Sequence, residues 1–365
     1  MKMKAAVLYE NNKPIRVQEV TLDDPQNQEV LVKLVATGVC HTDLHFIKGE
    51  MPQPLPVVLG HEGAGIVEKV GPGVTSLKPG DHVVLMVAYS CGKCRYCVGG
   101  RPTLCAEWLG YHMMGTLPSM TKRLHHDSQE LNHFFSQSSF AQYAVVHERT
   151  AIKVREDAPL DRVCLLGCGT STGLGAVLNT AGIRAGESIA IYGCGGVGLS
   201  AVMGAKLAGA GKLIAVDTMD MKLAKAQELG ADYVINASRE DPPQRVKEIT
   251  GGGADYAVEC IGNVNVMVQA FSSIHNGGKC VIAGMAPLGA MLNIAPFEFL
   301  LGKTISGSVQ GDIRASIDVP KYADLFMAGK LPIDKLVTRY FGLDEINEAM
   351  SALEKGEVIR AVVRF

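Results

Sequence analysis

The run Ser188-Ile189-Ala190-Ile191-Tyr192-Gly193-Cys194-Gly195-Gly196-Val197-Gly198 decides how the second half of this chain is read. Its first five residues read as a buried strand. The next six give G-x-G-x-x-G, carried by Gly193, Gly195 and Gly198 with Gly196 and Val197 between. Glycine is common in this chain, so the motif alone is weak. Its setting makes it specific: a helical pattern follows, and Asp217 closes the next strand 19 residues after Gly198. Gly193 permits the tight turn, Gly195 lets the main chain approach a pyrophosphate, and Gly198 lets helix and strand pack closely. The N-terminus of the following helix offers free N–H groups to phosphates. Asp217 can accept hydrogen bonds from ribose hydroxyls and would repel a 2′-phosphate, so NAD is expected over NADP. The plain alternative is a glycine-rich turn that binds nothing.

Outward from that run, strands read at 188–192, 213–217, 233–236, 256–260, 279–283 and 304–309. Helical stretches such as 219–229 and 263–274 fill the gaps. This alternation predicts a doubly wound parallel sheet. Before about 165 the chain is β-rich, with short apolar runs at 5–8, 30–35, 65–70, 82–87 and 141–146 between turn signals such as Gly71-Pro72-Gly73. Residues 112–135 are polar and His-rich and read as a long loop. From about 312 the pattern is mixed, ending in a strand-like 358–365. The fold class is therefore α/β plus β-rich.

With 365 residues, 47% apolar and 20% charged, the chain has ordinary globular composition, and its length suggests two domains. The net charge of −2 gives no electrostatic footprint for nucleic acid or an anionic membrane. Uncharged runs at 163–183 and 188–205 approach the length of a membrane span, but glycines interrupt both. No secretory leader is visible, so a cytoplasmic protein is expected.

Ten cysteines in such a chain are expected to be reduced. Cys91, Cys94, Cys97 and Cys105 crowd one glycine-bearing stretch, where four thiolates could converge on a tetrahedral zinc. A closed site of that kind leaves no position for substrate and would be structural. Lys93, Arg95 and Arg101 would offset part of its charge; reduced surface cysteines or an iron–sulfur cluster are the alternatives. Cys40, His61 and Cys168, each beside a turn or a glycine, could form a three-ligand site with an open fourth position. Each alone is a weak signal. Cys164, Cys194, Cys260 and Cys280 lie in apolar runs and read as small buried hydrophobes.

Taken together, Gly60-His61-Glu62-Gly63-Ala64-Gly65-Ile66-Val67 with Val70-Gly71, the four-cysteine stretch, Gly167-Cys168-Gly169 and the glycine motif resemble the zinc-dependent medium-chain alcohol dehydrogenases over essentially the full length. The resemblance implies a GroES-like catalytic domain (1–169 and 310–365) into which a Rossmann NAD-binding domain (170–309) is inserted. It implies two zinc ions per subunit: a catalytic one held by Cys40, His61 and Cys168, with Glu62 behind it as a further or alternate ligand, and a structural one on Cys91, Cys94, Cys97 and Cys105. His41, Lys222 and Arg360 match coenzyme contacts near phosphates and ribose.

The implied reaction is hydride transfer between an alcohol and NAD. Zinc as a Lewis acid would favour the alkoxide, Thr42 and His45 would relay the proton, and Asp43 would orient His61. The matching pocket positions are Thr42, Met51, Val87, Gly110, Phe134, Phe135, Met285 and Val309, an apolar lining with small residues at Val87 and Gly110. This favours primary alcohols with medium-chain, allylic or aromatic groups. The family's glutathione-adduct branch uses an acid and an arginine at the pocket entrance, where this chain has Met51 and Leu109. S-(hydroxymethyl)glutathione or polyol oxidation is the alternative. A homodimer is expected, through the edge of the parallel sheet near 292–309, with a tetramer as the other possibility.

Overall fold

The computed structural model describes residues 1–365. The chain divides into two compact units: Met1–Cys168, Arg314–Gly329 and Ile333–Phe365 in the first, Gly169–Ile313 and Lys330–Pro332 in the second. The division falls at 168/169 and 313/314, where the sequence suggested 169/170 and 309/310. Residues 310–313 stay with the second unit for a local reason. Gly311 offers its carbonyl to Asn179 Nδ2 at 3.1 Å, and it packs so closely on Gly175 that a Cβ there would stand 2.2 Å from the Gly311 oxygen.

The second unit holds a six-stranded sheet, all parallel, in the order Tyr233–Asn236, Lys212–Asp217, Ser188–Tyr192, Ala254–Glu259, Ile274–Ile282, Thr304–Gly307. In chain order this is 3-2-1-4-5-6, the arrangement of doubly wound dinucleotide folds. Ile189, Ala190, Ile191 and Tyr192 are all buried, as a strand covered on both faces requires. The order reverses between Ser188–Tyr192 and Ala254–Glu259, so the glycine run that follows Tyr192 lies at the switch point of the sheet.

The first unit is mostly antiparallel, with parallel pairing only between Val57–Val58 and Gln129–His133 and between Val337–Gly342 and Arg360–Arg364. Lys2–Leu8, Arg16–Leu22, Leu124–His126, Gln129–His133 and Val57–Val58 close a small barrel. A second sheet runs Ala151–Lys153, His82–Leu85, Gly63–Val70, Glu29–Val39, Arg360–Arg364, Val337–Gly342, with Tyr143–His147 also on Glu29–Val39. The C-terminal strand thus completes a sheet begun by the N-terminal residues. Glu29–Val39 is longer than its sequence signal because it is laddered along both edges, to Gly63–Val70, Tyr143–His147 and Arg360–Arg364.

Residues 112–135 are not the long loop the composition suggested. They carry the end of helix Trp108–Met114 and the hairpin of Leu124–His126 with Gln129–His133. Leu117, Leu124 and Leu131 are buried in the barrel core, while Gln129 and Glu130 face solvent. Strands this short, with only one apolar face, leave too few hydrophobic residues to register as a strand pattern.

Candidate active site

Cys40 follows the long strand and caps helix His41–Ile47. In the first turn of that helix Asp43 is fully buried and carries three hydrogen bonds. Its Oδ2 accepts the Cys40 N–H at 3.2 Å; its Oδ1 accepts the Gly60 N–H at 3.2 Å and stands 3.2 Å from His61 Nδ1. One carboxylate therefore ties the helix start to the segment bearing His61 and fixes the imidazole so that Nε2 points away from it. His61 Nε2 is buried with no hydrogen-bond partner. Yet it lies in a group, with the Cys40 and Cys168 sulfurs and a Glu62 oxygen, whose ligand atoms are all within 4.8 Å of one another. A buried, orphaned imidazole nitrogen beside two thiols is the donor set of zinc, and the residues fit that ion.

The electrostatics agree. The Cys168 thiol, joined by His61 and opposed by burial, holds the Cys40 thiol well below its ordinary range. Burial works against a charged His61 ring, but Asp43 and Cys40 outweigh it and raise the ring's pKa well above normal. The centre is thus prepared for thiolate beside positive charge. Glu62 is buried on the Arg360 guanidinium. Desolvation still raises its pKa, with Arg360 opposing. Gly38 makes room for this pair, since a Cβ there would stand 2.0 Å from Glu62 Oε2.

The four remaining cysteines of interest form a separate group, Cys91, Cys94, Cys97 and Cys105, with sulfurs within 4.8 Å of one another. Main-chain N–H groups point at these sulfurs: Cys91 donates to Cys105 Sγ at 3.4 Å and Cys94 to Cys91 Sγ at 3.3 Å. Such N–H···S bonds stabilise thiolates. In the second unit, Gly193 turns with φ +92°, and a Cβ on Gly198 would sit 1.6 Å from the Gly193 oxygen. Beside Gly195 there is open space, as close approach of a pyrophosphate needs. Asp217, at the end of its strand, accepts the Cys194 N–H at 2.7 Å and the Met219 N–H at 3.0 Å, which fixes the carboxylate against the glycine turn.

Comparison with known proteins bears directly on these three sites. The alcohol dehydrogenase GroES-like domain model matches residues 26–156, and the zinc-binding dehydrogenase model matches 196–328. An S-(hydroxymethyl)glutathione dehydrogenase of Synechocystis is 42% identical over the whole of both chains. The class-3 alcohol dehydrogenase of Drosophila melanogaster is 42% identical over 99% of this chain and 97% of its own. Among solved structures, benzyl alcohol dehydrogenase from Acinetobacter calcoaceticus superimposes with TM-score 0.96 at 40% identity, covering 100% of this chain and 99% of that one. The chain belongs to the zinc-dependent medium-chain alcohol dehydrogenase family. It is an oxidoreductase of the alcohol dehydrogenase kind, with a GroES-like unit and a Rossmann unit.

Within this dehydrogenase the other expected residues are distributed unevenly. Thr42 is half-buried and His41 exposed on the helix that starts at the Cys40 ligand position. His45 Nδ1 stands 2.5 Å from Glu50 Oε2. The Arg360 guanidinium is buried on Glu62; Lys222 is half-buried in the Rossmann unit. Phe134 is fully buried in the core, where its ring lies edge-on to His61 at 5.5 Å. Phe135 is half-buried, 5.4 Å from the same ring. Met51 packs half-buried on that core. Val87 donates to Gly167 beside the Cys168 position at 3.2 Å. Gly110 is exposed and its Cα faces open space. Met285 and Val309 belong to the Rossmann unit.

Several residues escaped sequence reasoning. Lys93 and Arg95, expected to offset the thiolates, are engaged by Glu107 at 3.6 Å and by the Tyr96 ring at 4.6 Å. Arg149, which the sequence did not single out, also reaches the four-cysteine loop, donating to the Cys91 carbonyl at 2.9 Å. Its sequence neighbourhood gives no hint of this. His112 stacks on Phe135 with ring centroids 3.9 Å apart. Burial, with His61 nearby, pushes its pKa down to about 4, so it is a neutral aromatic wall. Gln137 carries no signal at all in the sequence.

Proposed function

We propose that this enzyme interconverts primary alcohols and aldehydes with NAD, using a catalytic zinc on Cys40, His61 and Cys168 and a structural zinc on Cys91, Cys94, Cys97 and Cys105. The observation that carries the proposal is the orphaned, buried His61 Nε2 among two thiols, aimed there by Asp43. A zinc ion so held supplies Lewis acidity to a bound hydroxyl, and NAD supplies the hydride acceptor. The chain's own residues do the rest. Asp43 holds the imidazole, Thr42 accepts the substrate proton through its hydroxyl, and His45, braced by Glu50, passes that proton on. Asp217 favours NAD by offering its carboxylate to ribose hydroxyls. Asp217→Ser should narrow the preference for NAD over NADP, measured as the ratio of kcat/KM values.

For the substrate, the reading we favour is an apolar or aromatic primary alcohol. From His61 outward the rings of Phe134, Phe135, His112 and Trp108 follow one another, the last stacking on Phe135 at 6.3 Å. Such a wall suits a ring or chain, and Met51 and Leu109 carry no charge to hold a glutathione carboxylate. A second reading, oxidation of S-(hydroxymethyl)glutathione, has the names of the curated relatives at 41–42% identity behind it. Sequence similarity favours that second reading; the side chains at the pocket entrance favour the first. A panel of benzyl alcohol, hexanol, sorbitol and S-(hydroxymethyl)glutathione with free NAD decides between them. Benzyl alcohol and hexanol should give the highest kcat/KM, and a clear preference for the adduct would overturn the first reading.

A homodimer is part of this proposal. Leu292, Phe297, Phe299, Leu300 and Leu301 are exposed next to edge strand Thr304–Gly307, and an unpaired edge with an apolar border favours a second copy. Sedimentation velocity checks it. No single helix is long and apolar enough to cross a membrane, and ten free cysteines suit the reducing cytoplasm we propose for it.

A further inference from the structure

Segment 59–63 carries His61 and Glu62 but is only partly supported by the sheet. Strand Gly63–Val70 begins after them, and its first ladder contact is Gly63 with Thr37. The Glu62 carbonyl accepts the Gly38 N–H at 3.1 Å. The His61 carbonyl and the Gly63 N–H, on either side of Glu62, have no strand to pair with. An unpaired peptide group in a buried place loses its water without gaining a partner, which destabilises the fold.

Gln137 fills that gap. It is fully buried, and its amide meets three main-chain groups at once. Nε2 donates to the His61 carbonyl and to the Met86 carbonyl, both at 3.2 Å, and Oε1 accepts the Gly63 N–H at 2.9 Å. Two acceptors on one side and a donor on the other leave only one orientation of the amide. The turn that carries it is itself held. Ser139 donates to the Gly60 carbonyl at 2.9 Å and Phe140 to that of Leu59 at 3.0 Å; Ser136 Oγ donates to the Thr116 carbonyl at 2.8 Å. Phe135, Ser136 and Ser138 adopt φ values of 49°, 54° and 60°. These left-handed conformations are costly for such residues, and they aim Gln137 inward.

We infer that Gln137 is a positioning residue for the catalytic metal centre: it clamps the main chain around Glu62 as Asp43 clamps the His61 ring. The two act on different parts of one ligand. Asp43 sets the direction of Nε2, and Gln137 sets where the His61 backbone, and with it the whole imidazole, stands relative to Cys40 and Cys168. The inference rests on the proposed metal site, and its test separates the two.

The test compares zinc content and zinc release to a chromogenic chelator in the holoenzyme and in Gln137→Leu, together with the visible absorption of the cobalt-substituted enzyme. The holoenzyme should release two zinc ions per chain. Gln137→Leu should release one of them about 10–100-fold faster, the range found when an outer hydrogen bond to a ligand is lost. Its cobalt–thiolate bands should shift, and NADH should still bind. A general structural defect would instead speed the release of both ions together, and that result overturns the inference. So do release rates and cobalt bands unchanged from the holoenzyme. If Gln137→Leu does not accumulate as folded protein, Gln137→Met, which keeps the length and flexibility of the side chain, is read by the same criteria. A holoenzyme with only the four-cysteine zinc would overturn the metal-site reading itself, whatever the variant does.

Discussion

The two cysteine-bearing centres of the first unit solve one problem in opposite ways. Cys91, Cys94, Cys97 and Cys105 span fifteen residues, and their local main chain supplies the N–H groups that face the sulfurs. Cys40, His61 and Cys168 are spread over 129 residues. They meet because Asp43 ties the helix start to the His61 segment, Gln137 ties that segment to Met86, and the next residue, Val87, donates to Gly167 beside Cys168. Cys94 and Cys97 are half-exposed, whereas Cys40 and His61 are buried. A local site can be assembled by a loop around an ion. A distributed site has to be prepared by the fold, and its supporting residues then matter nearly as much as its ligands.

That contrast can be broken most directly at the ligands. Cys40→Ser should lower kcat by about 10³-fold or more, several kcal/mol of lost transition-state stabilisation, while NADH binding and the four-cysteine zinc persist. Retained turnover would remove Cys40 from the centre. The matching change in the loop, Cys97→Ser, should act through stability. The loss of a bound ion that favours the folded state should lower Tm and release one zinc, with kcat per folded molecule changed far less than by Cys40→Ser. Equal loss of kcat in both variants would erase the distinction.

A smaller effect is expected behind the ligands. Asp43→Asn should weaken catalytic zinc about 10–100-fold, as read by competition with a chelator, and leave the loop zinc untouched. Weakening of both sites would mean that Asp43 supports the unit as a whole.

The mildest test separates acid unfolding from metal loss. His133 ends a barrel strand and belongs to neither group of metal ligands. Its Nε2 accepts the Arg123 N–H at 3.1 Å, so the ring must be neutral there. Burial, aided by Arg123, pushes its pKa down to about 3. The unfolded chain binds a proton near pH 6.5 and the folded one does not. Stability contributed by this ring is therefore present above about pH 6.5 and is lost as pH falls towards 3, at no more than about 1.4 kcal/mol per pH unit. Denaturant unfolding at stepped pH should show that acid limb. His133→Gln should flatten it, and an unchanged slope would place the sensitivity elsewhere.

The second unit was almost wholly legible in the sequence. Strand and helix alternate there with strong periodicity, every crossover is local, and Gly193 and Gly198 serve backbone needs that no other residue meets. The four-cysteine loop was legible for the same reason. The first unit was harder. Leu124–His126 and Gln129–His133 each present too few apolar residues to be seen as strands, and their stability comes from closing a barrel with partners far away in the chain, Arg16–Leu22 for the first and Val57–Val58 for the second. Arg360 could be matched only to a coenzyme contact, because nothing local announces a buried carboxylate 298 residues earlier. His112 and Arg149 were invisible for similar reasons.

The sequence alone therefore determined the order of elements, the glycine turn, the strand-ending Asp217 and the residues able to bind metal. Those follow from short-range sterics and from side-chain chemistry, which adjacent residues encode. Tertiary structure decided which nitrogen of His61 is left free, which carboxylate braces it, which cation neutralises Glu62 and which amide clamps the backbone between them. Each of these is a hydrogen bond between segments far apart in the chain, and only burial, by removing water as a competing partner, makes its formation obligatory.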